Sequence, residues 1–131
     1  MTLTHVNPTS MHHNPAFAQG VLIDGPGSLL VVGGQNGVDE TGQVVSDDPS
    51  EQTTQAFRNV ITVLESAGCT QADVARLTIY LAHGVDVTAA YAAAQEVWGP
   101  HATAISVLFV AALGRPECLV EIEALAQVPA R

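Results

Sequence analysis

Lysine is absent from this 131-residue chain, and only four arginines (Arg58, Arg76, Arg115 and Arg131) stand against 13 acidic residues, giving a formal net charge of −9. The missing lysine excludes a Schiff-base nucleophile and a phosphate-binding P-loop. Four scattered cations make no basic patch able to neutralise several phosphates, so a nucleic-acid partner is not expected. Cysteine is scarce as well. Cys69 and Cys118 lack CxxC spacing and are too few for a disulfide framework, so both read as small buried apolar residues. No apolar run approaches membrane-spanning length, and the opening "MTLTHVNPTSMHHNPAF" has no basic region followed by a long apolar stretch. A soluble cytoplasmic protein with no membrane partner is the expectation. No serine lies in a GxSxG turn, and "GPGSLL" lacks the third glycine and the following helix of a dinucleotide fingerprint. His12 and His13 are adjacent in an irregular segment, with no His, Cys or Asp at ligand spacing nearby, so they predict no metal, and no other cofactor is expected.

What the chain does have is apolar surface to bury. At 47% hydrophobic and 13% charged, without repeats, linkers or low-complexity runs, it has the make-up of one globular domain spanning residues 1–131. After a short first segment, "GVLIDGPGSLLVVGGQ" predicts a hairpin from Gly20 to Ile23, through the turn "DGPGS", to Leu29–Gly33. "NGVDETGQVVSDD" is a loop dense in turn formers. In "DPSEQTTQAFRNVITVLESAG", Asp48 can cap a helix, Pro49 suits its first position, Glu51 completes a capping box and Gly68 ends it. Thr53, Phe57, Val60, Ile61, Leu64 and Ala67 share one face. "DVARLTIYLA" reads as a strand, followed by a helix from about Asp86 to Trp98 with Val87, Tyr91, Ala94, Val97 and Trp98 on its apolar stripe. "ATAISVLFVAAL" and "CLVEIEALAQV" are the last two strands, joined through "GRPE".

The order β-β-α-β-α-β-β predicts an α+β layer with two helices on one face of a sheet. Two strands carry more information than the order. In "AISVLFVAAL" both faces are apolar, which two helices on one side cannot cover, so a second copy of the chain is expected against the other face. In "VEIEALA" the alternation sends Val120, Ile122, Ala124 and Ala126 to the core and Glu121 and Glu123 to the opposite face. An unpaired carboxylate there must meet water, a cation or a ligand.

"GGQNGVDETG", "EQTTQAFRNVITVLESAG", "DVARLTIYLA" and "VAALGRPECLVEIEALA" stand in the order and at the spacing of the RidA family, also called YjgF or L-PSP endoribonuclease, which this chain resembles from about Asn14 to its C-terminus. The resemblance implies a chorismate-mutase-like fold and a homotrimer with a small-molecule cleft at each subunit interface. It also implies hydrolysis of reactive imines and enamines to ammonia and a keto acid. In such relatives an arginine at the start of the strand before "EIEA" binds the substrate carboxylate, and a glutamate of "EIEA" helps position the attacking water.

Carried over position by position, the match is partial. Counting back from Leu113, Ile105 stands at the arginine position, followed by Ser106, and no nearby basic residue replaces it. Arg115 lies ten residues further on, far from Ile105 at about 3.3 Å per strand residue. Phe17 stands for a tyrosine, Gly33 for a small polar residue, Tyr91 for an asparagine and Val107 for a cysteine. Glu121 is retained as the candidate catalytic carboxylate, whereas Glu123 is expected to be solvated or to face the trimer axis. The resemblance thus marks Phe17, Gly33, Tyr91, Ile105 and Val107 as substrate-binding positions. Phe17 and Ile105 would make that cleft apolar. Helical spacing by itself puts Tyr91 and Trp98 in the core, and His83 and His101 fall in loops.

Three functions follow in order. The first is an imine or enamine hydrolase whose substrate is less anionic than an imino acid. The second is a non-catalytic trimer that binds a small metabolite. Last comes a ribonuclease, which the acidic charge opposes.

Overall fold

A computed structural model describes residues 2–130 of the chain, leaving Met1 and Arg131 outside the described residues. Its elements are β1 (Thr2–Val6), β2 (Gly20–Asp24), β3 (Gly27–Asn36), α1 (Pro49–Ser66), a short 3-10 turn (Gln71–Asp73), β4 (Val74–Ala82), α2 (Val87–Trp98), β5 (Ala104–Val110) and β6 (Val120–Pro129). Four strands form a mixed sheet in the order β3-β6-β4-β5, and β1 and β2 form a separate two-stranded ribbon. The α+β class, with two helices packed on a four-stranded sheet, is as the sequence implies.

The strand pairing is not. β2 and β3 form no hairpin, because β2 pairs antiparallel with β1, a strand absent from the expected order. The turn between β2 and β3 is real, with Gly25 and Gly27 at positive φ, but it sends the chain from one sheet to the other. At Gly27 the chain meets β6 so closely that a Cβ would lie 2.6 Å from the Val128 carbonyl oxygen. Ten-residue β3 then gains an apolar partner along β6 that short, largely exposed β2 does not offer. The last two strands are not a hairpin either. β5 runs parallel to β4 across the α2 crossover that a parallel pair requires. The 111–119 connection carries β6 back between β3 and β4, antiparallel to both.

Local chemistry fixes α1. The Asp48 carboxylate accepts from Ser50 N at 3.0 Å, capping the first turn. The expected capping box with Glu51 does not close, because the Asp48 backbone N–H that Glu51 would take already donates to Ser46 Oγ at 2.8 Å. At the far end Gly68, at φ 78°, donates to Glu65 O while Cys69 N donates to Leu64 O, which is a complete Schellman ending. The helix buries Gln52, Thr53, Ala56, Phe57, Val60 and Leu64 against the sheet. Gln52 is a polar addition to the expected face. Its amide donates to Ser46 O and Glu117 O and accepts from Leu119 N, tying two loops to the helix.

The core lies between the helices and the sheet, where Phe57, Leu64, Leu77, Leu81, Val120 and Ile122 are almost wholly buried. Cys69 and Cys118 are buried too. The other side of the sheet has no such cover, and there Val31 is 67% exposed.

Candidate active site

Alternation along β4 and β5 divides the site residues between the two faces of the sheet. Leu77 pairs with Ile105 and Ile79 with Val107, and these four point toward α2. There they line a cavity of about 580 Å³ with Phe17, Phe57, Tyr91, Gln95, Trp98 and His101. Four of the expected binding residues, Phe17, Tyr91, Ile105 and Val107, therefore meet in one place. Ile105 does make the cavity wall apolar, and no Arg, Asp or Glu lines it. Trp98 is the buried back wall, tilted against Phe57 with ring centroids 5.3 Å apart. Its indole N–H donates to His101 O at 3.2 Å. Tyr91 is 54% exposed and not in the core as its spacing suggests. α2 contains five alanines, so apolar character runs around the helix and does not mark its buried face, which is Ala90 and Trp98.

Gly33 and Glu121 are not in this cavity. Glu121 sits on the sheet face away from the helices, level with Asn36 of β3 and Tyr80 of β4. Asn36 Nδ2 donates to Glu121 Oε1 at 3.3 Å and to Val120 O at 2.9 Å. The Asn36 carbonyl is held in turn by Asn59 of α1. Room for the carboxylate comes from the irregularity between Val32 and Gln35, where a Cβ on Gly34 would run into the Glu121 side chain. A Cβ on Gly33 would meet nothing within 4 Å.

Three residues to which the sequence assigns no role belong to this outer face. Tyr80 OH donates to Glu123 Oε1 at 2.7 Å, so Glu123 is neither purely solvated nor unpartnered. The bond to Glu123, then burial and the nearby carboxylates, push the Tyr80 phenol above its ordinary range. Arg76 of β4 donates from Nη2 to Ser106 Oγ at 3.0 Å, so a basic residue does stand beside the Ile105 position, though on the opposite face of the sheet. Gly34 is the third. Arg115, as its sequence distance suggests, is elsewhere, bonded to Glu117 and to Gly42 O.

The remaining histidines stay outside both faces. His12 stands edge-on to Phe17 at 6.1 Å between ring centroids and lies 3.4 Å from the Gln19 amide, while His13 and His83 are exposed. Among the described residues no three His, Cys, Asp or Glu come together to hold a metal ion. No helix among them is long and apolar enough to cross a membrane.

The family pattern described as Endoribonuclease L-PSP matches residues 10–128 of this chain. The chain belongs to the RidA family. A RutC family protein of Pyrococcus abyssi is 34% identical over 101 residues, covering 76% of this chain and 79% of its own. A human protein named 2-iminobutanoate/2-iminopropanoate deaminase is 32% identical over 111 residues, covering 84% of this chain and 78% of its own. Among solved structures, YyfB of Yersinia pestis, a protein of unknown function in the conserved Rid family, superposes with a TM-score of 0.83 at 31% identity. That match covers 97% of this chain and 99% of the other. This chain therefore has the RidA fold, with Ile105 in the cavity wall and Glu121 on the opposite face of the sheet.

Proposed function

We propose that the chain is a RidA-family small-molecule protein whose cavity is completed by a second copy in a homotrimer, and that it hydrolyses the C=N bond of an imine or enamine lacking a carboxylate. The observation that carries this reading is the 580 Å³ cavity lined by Phe17, Tyr91, Ile105 and Val107, apolar and without a guanidinium. An imino acid entering it would desolvate its carboxylate with no charged partner. Deaminases among the relatives support the reaction class. The exposed outer sheet face supports assembly, because Leu29, Val31 and Leu108 remain uncovered in a single copy. That face also carries Glu121, so its contact with the cavity mouth of the next copy brings carboxylate and cavity together. Hydrolysis then follows ordinary acid-base logic. Water oxygen adds to the imine carbon while Glu121 takes one water proton and returns it to the nitrogen, giving a carbinolamine; its hydroxyl proton then passes by the same carboxylate to the nitrogen as the C–N bond breaks, releasing ammonia and a carbonyl compound.

The test is ammonia release from imines generated in place from leucine or alanine and from a simple amine without a carboxylate. Wild type is run beside Ile105→Arg and Glu121→Ala. The carboxylate-free imine should be preferred by wild type. Ile105→Arg should improve carboxylate binding by roughly one to two decades, the span of a charge-assisted pair. Rapid wild-type turnover of imino acids that survives Glu121→Ala overturns the assignment. A second reading, ligand binding without turnover, is favoured by one fact: no carboxylate lines the cavity within a single copy. Thermal stabilisation by a ligand with no ammonia from any imine would select it. RNA cleavage is not part of either reading, since the net charge of −9 repels a polyanion.

A further inference from the structure

His101 is the feature of the cavity that neither the family resemblance nor the apolar wall accounts for. Its backbone is fixed twice, by Trp98 Nε1 donating to its carbonyl at 3.2 Å and by its own N–H donating to Gly99 O at 2.9 Å. Gly99, at φ 82°, makes the turn that stops α2 and brings the imidazole to the cavity. His101 is half-buried, and among the described residues no side chain or carbonyl forms a hydrogen bond with either ring nitrogen. Around it, β4 contributes Leu77 and Ile79, β5 contributes Ile105 and Val107, and the N-terminal segment contributes Phe17. The one other titratable group in the lining is Tyr91 of α2. His12 stands next to Phe17 and is not itself in the lining. Glu96, also on α2, lines the groove against α1 instead.

We propose that His101 is the specificity-determining pole of the cavity. As neutral imidazole it hydrogen-bonds the C=N or C=O group of an uncharged ligand, and as imidazolium it supplies the cation that admits a carboxylate. An unpartnered imidazole in an apolar pocket is matched by a ligand with an apolar body and one polar group. Because histidine changes charge within about pH 5 to 8, the cavity's preference becomes pH-dependent, where an arginine would hold it constant.

This inference rests on the cavity being the ligand site, and the experiment separates the two. Trp98 is the chain's single tryptophan and the cavity's back wall, so its fluorescence reports occupancy. Two probes of nearly equal shape, phenylacetamide and phenylacetate, are titrated at about pH 5.5 and about pH 8. Carboxylic acids of this kind ionise near about pH 4, so phenylacetate stays charged throughout. Wild type, His101→Gln and His101→Phe are compared. Glu121→Gln is added to keep apart the one carboxylate that the proposed assembly brings to the mouth. Phenylacetate should bind wild type roughly tenfold tighter at the lower pH, and that ratio should fall to about one in His101→Gln while persisting in Glu121→Gln. At the higher pH phenylacetamide should weaken severalfold in His101→Phe and recover in His101→Gln, whose amide restores a hydrogen bond. A pH ratio that persists in His101→Gln, or vanishes in Glu121→Gln alone, overturns the role of His101 and leaves the cavity standing. If neither probe perturbs Trp98 at either pH, the cavity reading falls as well.

Discussion

β4 and β5 build two regions of unlike chemistry from the same two strands. Toward α2 they present Leu77, Ile79, Ile105 and Val107. Away from it they present Arg76, Thr78, Tyr80 and Ser106. Side chains at successive positions leave opposite faces of the backbone, so Ile105 and Ser106, neighbours in sequence, belong to different environments. Arg76 makes the point concrete. Its guanidinium reaches Ser106 Oγ at 3.0 Å, yet the sheet stands between it and the cavity. A cation close in space is no substitute for one on the right face, and the cavity stays apolar beside an arginine.

The sharpest test of the contrast is to damage each face in turn. Trp98 is 6% exposed and shared between the core and the cavity wall, so Trp98→Ala removes packing that nothing nearby can refill. Urea unfolding should report a loss of about 3–5 kcal/mol, as for other buried aromatic truncations. A loss of less than about 1 kcal/mol would mean that the wall is loosely packed and the cavity poorly defined.

On the outer face the expected effect lies in assembly. Val31 is exposed in the single chain, so Val31→Asp should leave intrinsic folding within roughly 0.5 kcal/mol of wild type. If that face is the contact between copies, the charge should break the trimer, and light scattering at micromolar concentration reads the drop in mass. An unchanged trimer would move the contact elsewhere. Wild type that scatters as a monomer would remove the intersubunit site altogether.

Gly34→Ala separates stability from site geometry. The atoms in the way of a new Cβ belong to the Glu121 side chain, which can swing aside, so the unfolding free energy should change by no more than roughly 0.5 kcal/mol. The carboxylate should leave its bond with Asn36, and any ammonia release that depends on Glu121 should fall by about tenfold or more. Full activity in this variant would show that the observed position of Glu121 is not the working one.

Much of the fold is legible because local signals and tertiary packing agree. The cap at Asp48, the ending at Gly68 and the alternation in "VEIEALA" all survive in the structure. Strand partners were less accessible. Nothing local to Gly20–Ile23 says that it pairs with Thr2–Val6, and β6 enters between β3 and β4 from the end of the chain. The site shows the same division. Of the positions the resemblance marks, Phe17, Tyr91, Ile105 and Val107 line one cavity and Gly33 does not. Arg76, Gly34 and Tyr80 lie inside the quoted family stretches without standing out there, since their contacts arise from cross-strand neighbours 30 to 87 residues away in sequence. His101 is intermediate, visible as a loop histidine but given meaning only by the cavity that α2 and β5 close around it.

The smallest expected effect belongs to the Tyr80–Glu123 bond on the outer face. Its cause is donation from the phenol to a carboxylate at 2.7 Å, which favours the neutral phenol and raises its ionisation above the ordinary value. A group that holds its proton more tightly when folded stabilises the fold fully below its unfolded pKa, about 10 for tyrosine. That contribution is lost as pH rises through the higher folded value. Tyr80→Phe should therefore lower the urea midpoint slightly and by a constant amount near neutral pH, with the gap from wild type closing only in the alkaline range. Tyrosinate absorbance offers an independent check, because the chain has just two tyrosines and the variant should lose the one that ionises late. A gap that persists unchanged after both tyrosines have ionised would mean that Tyr80 acts through its ring packing on the sheet and not through its bond to Glu123.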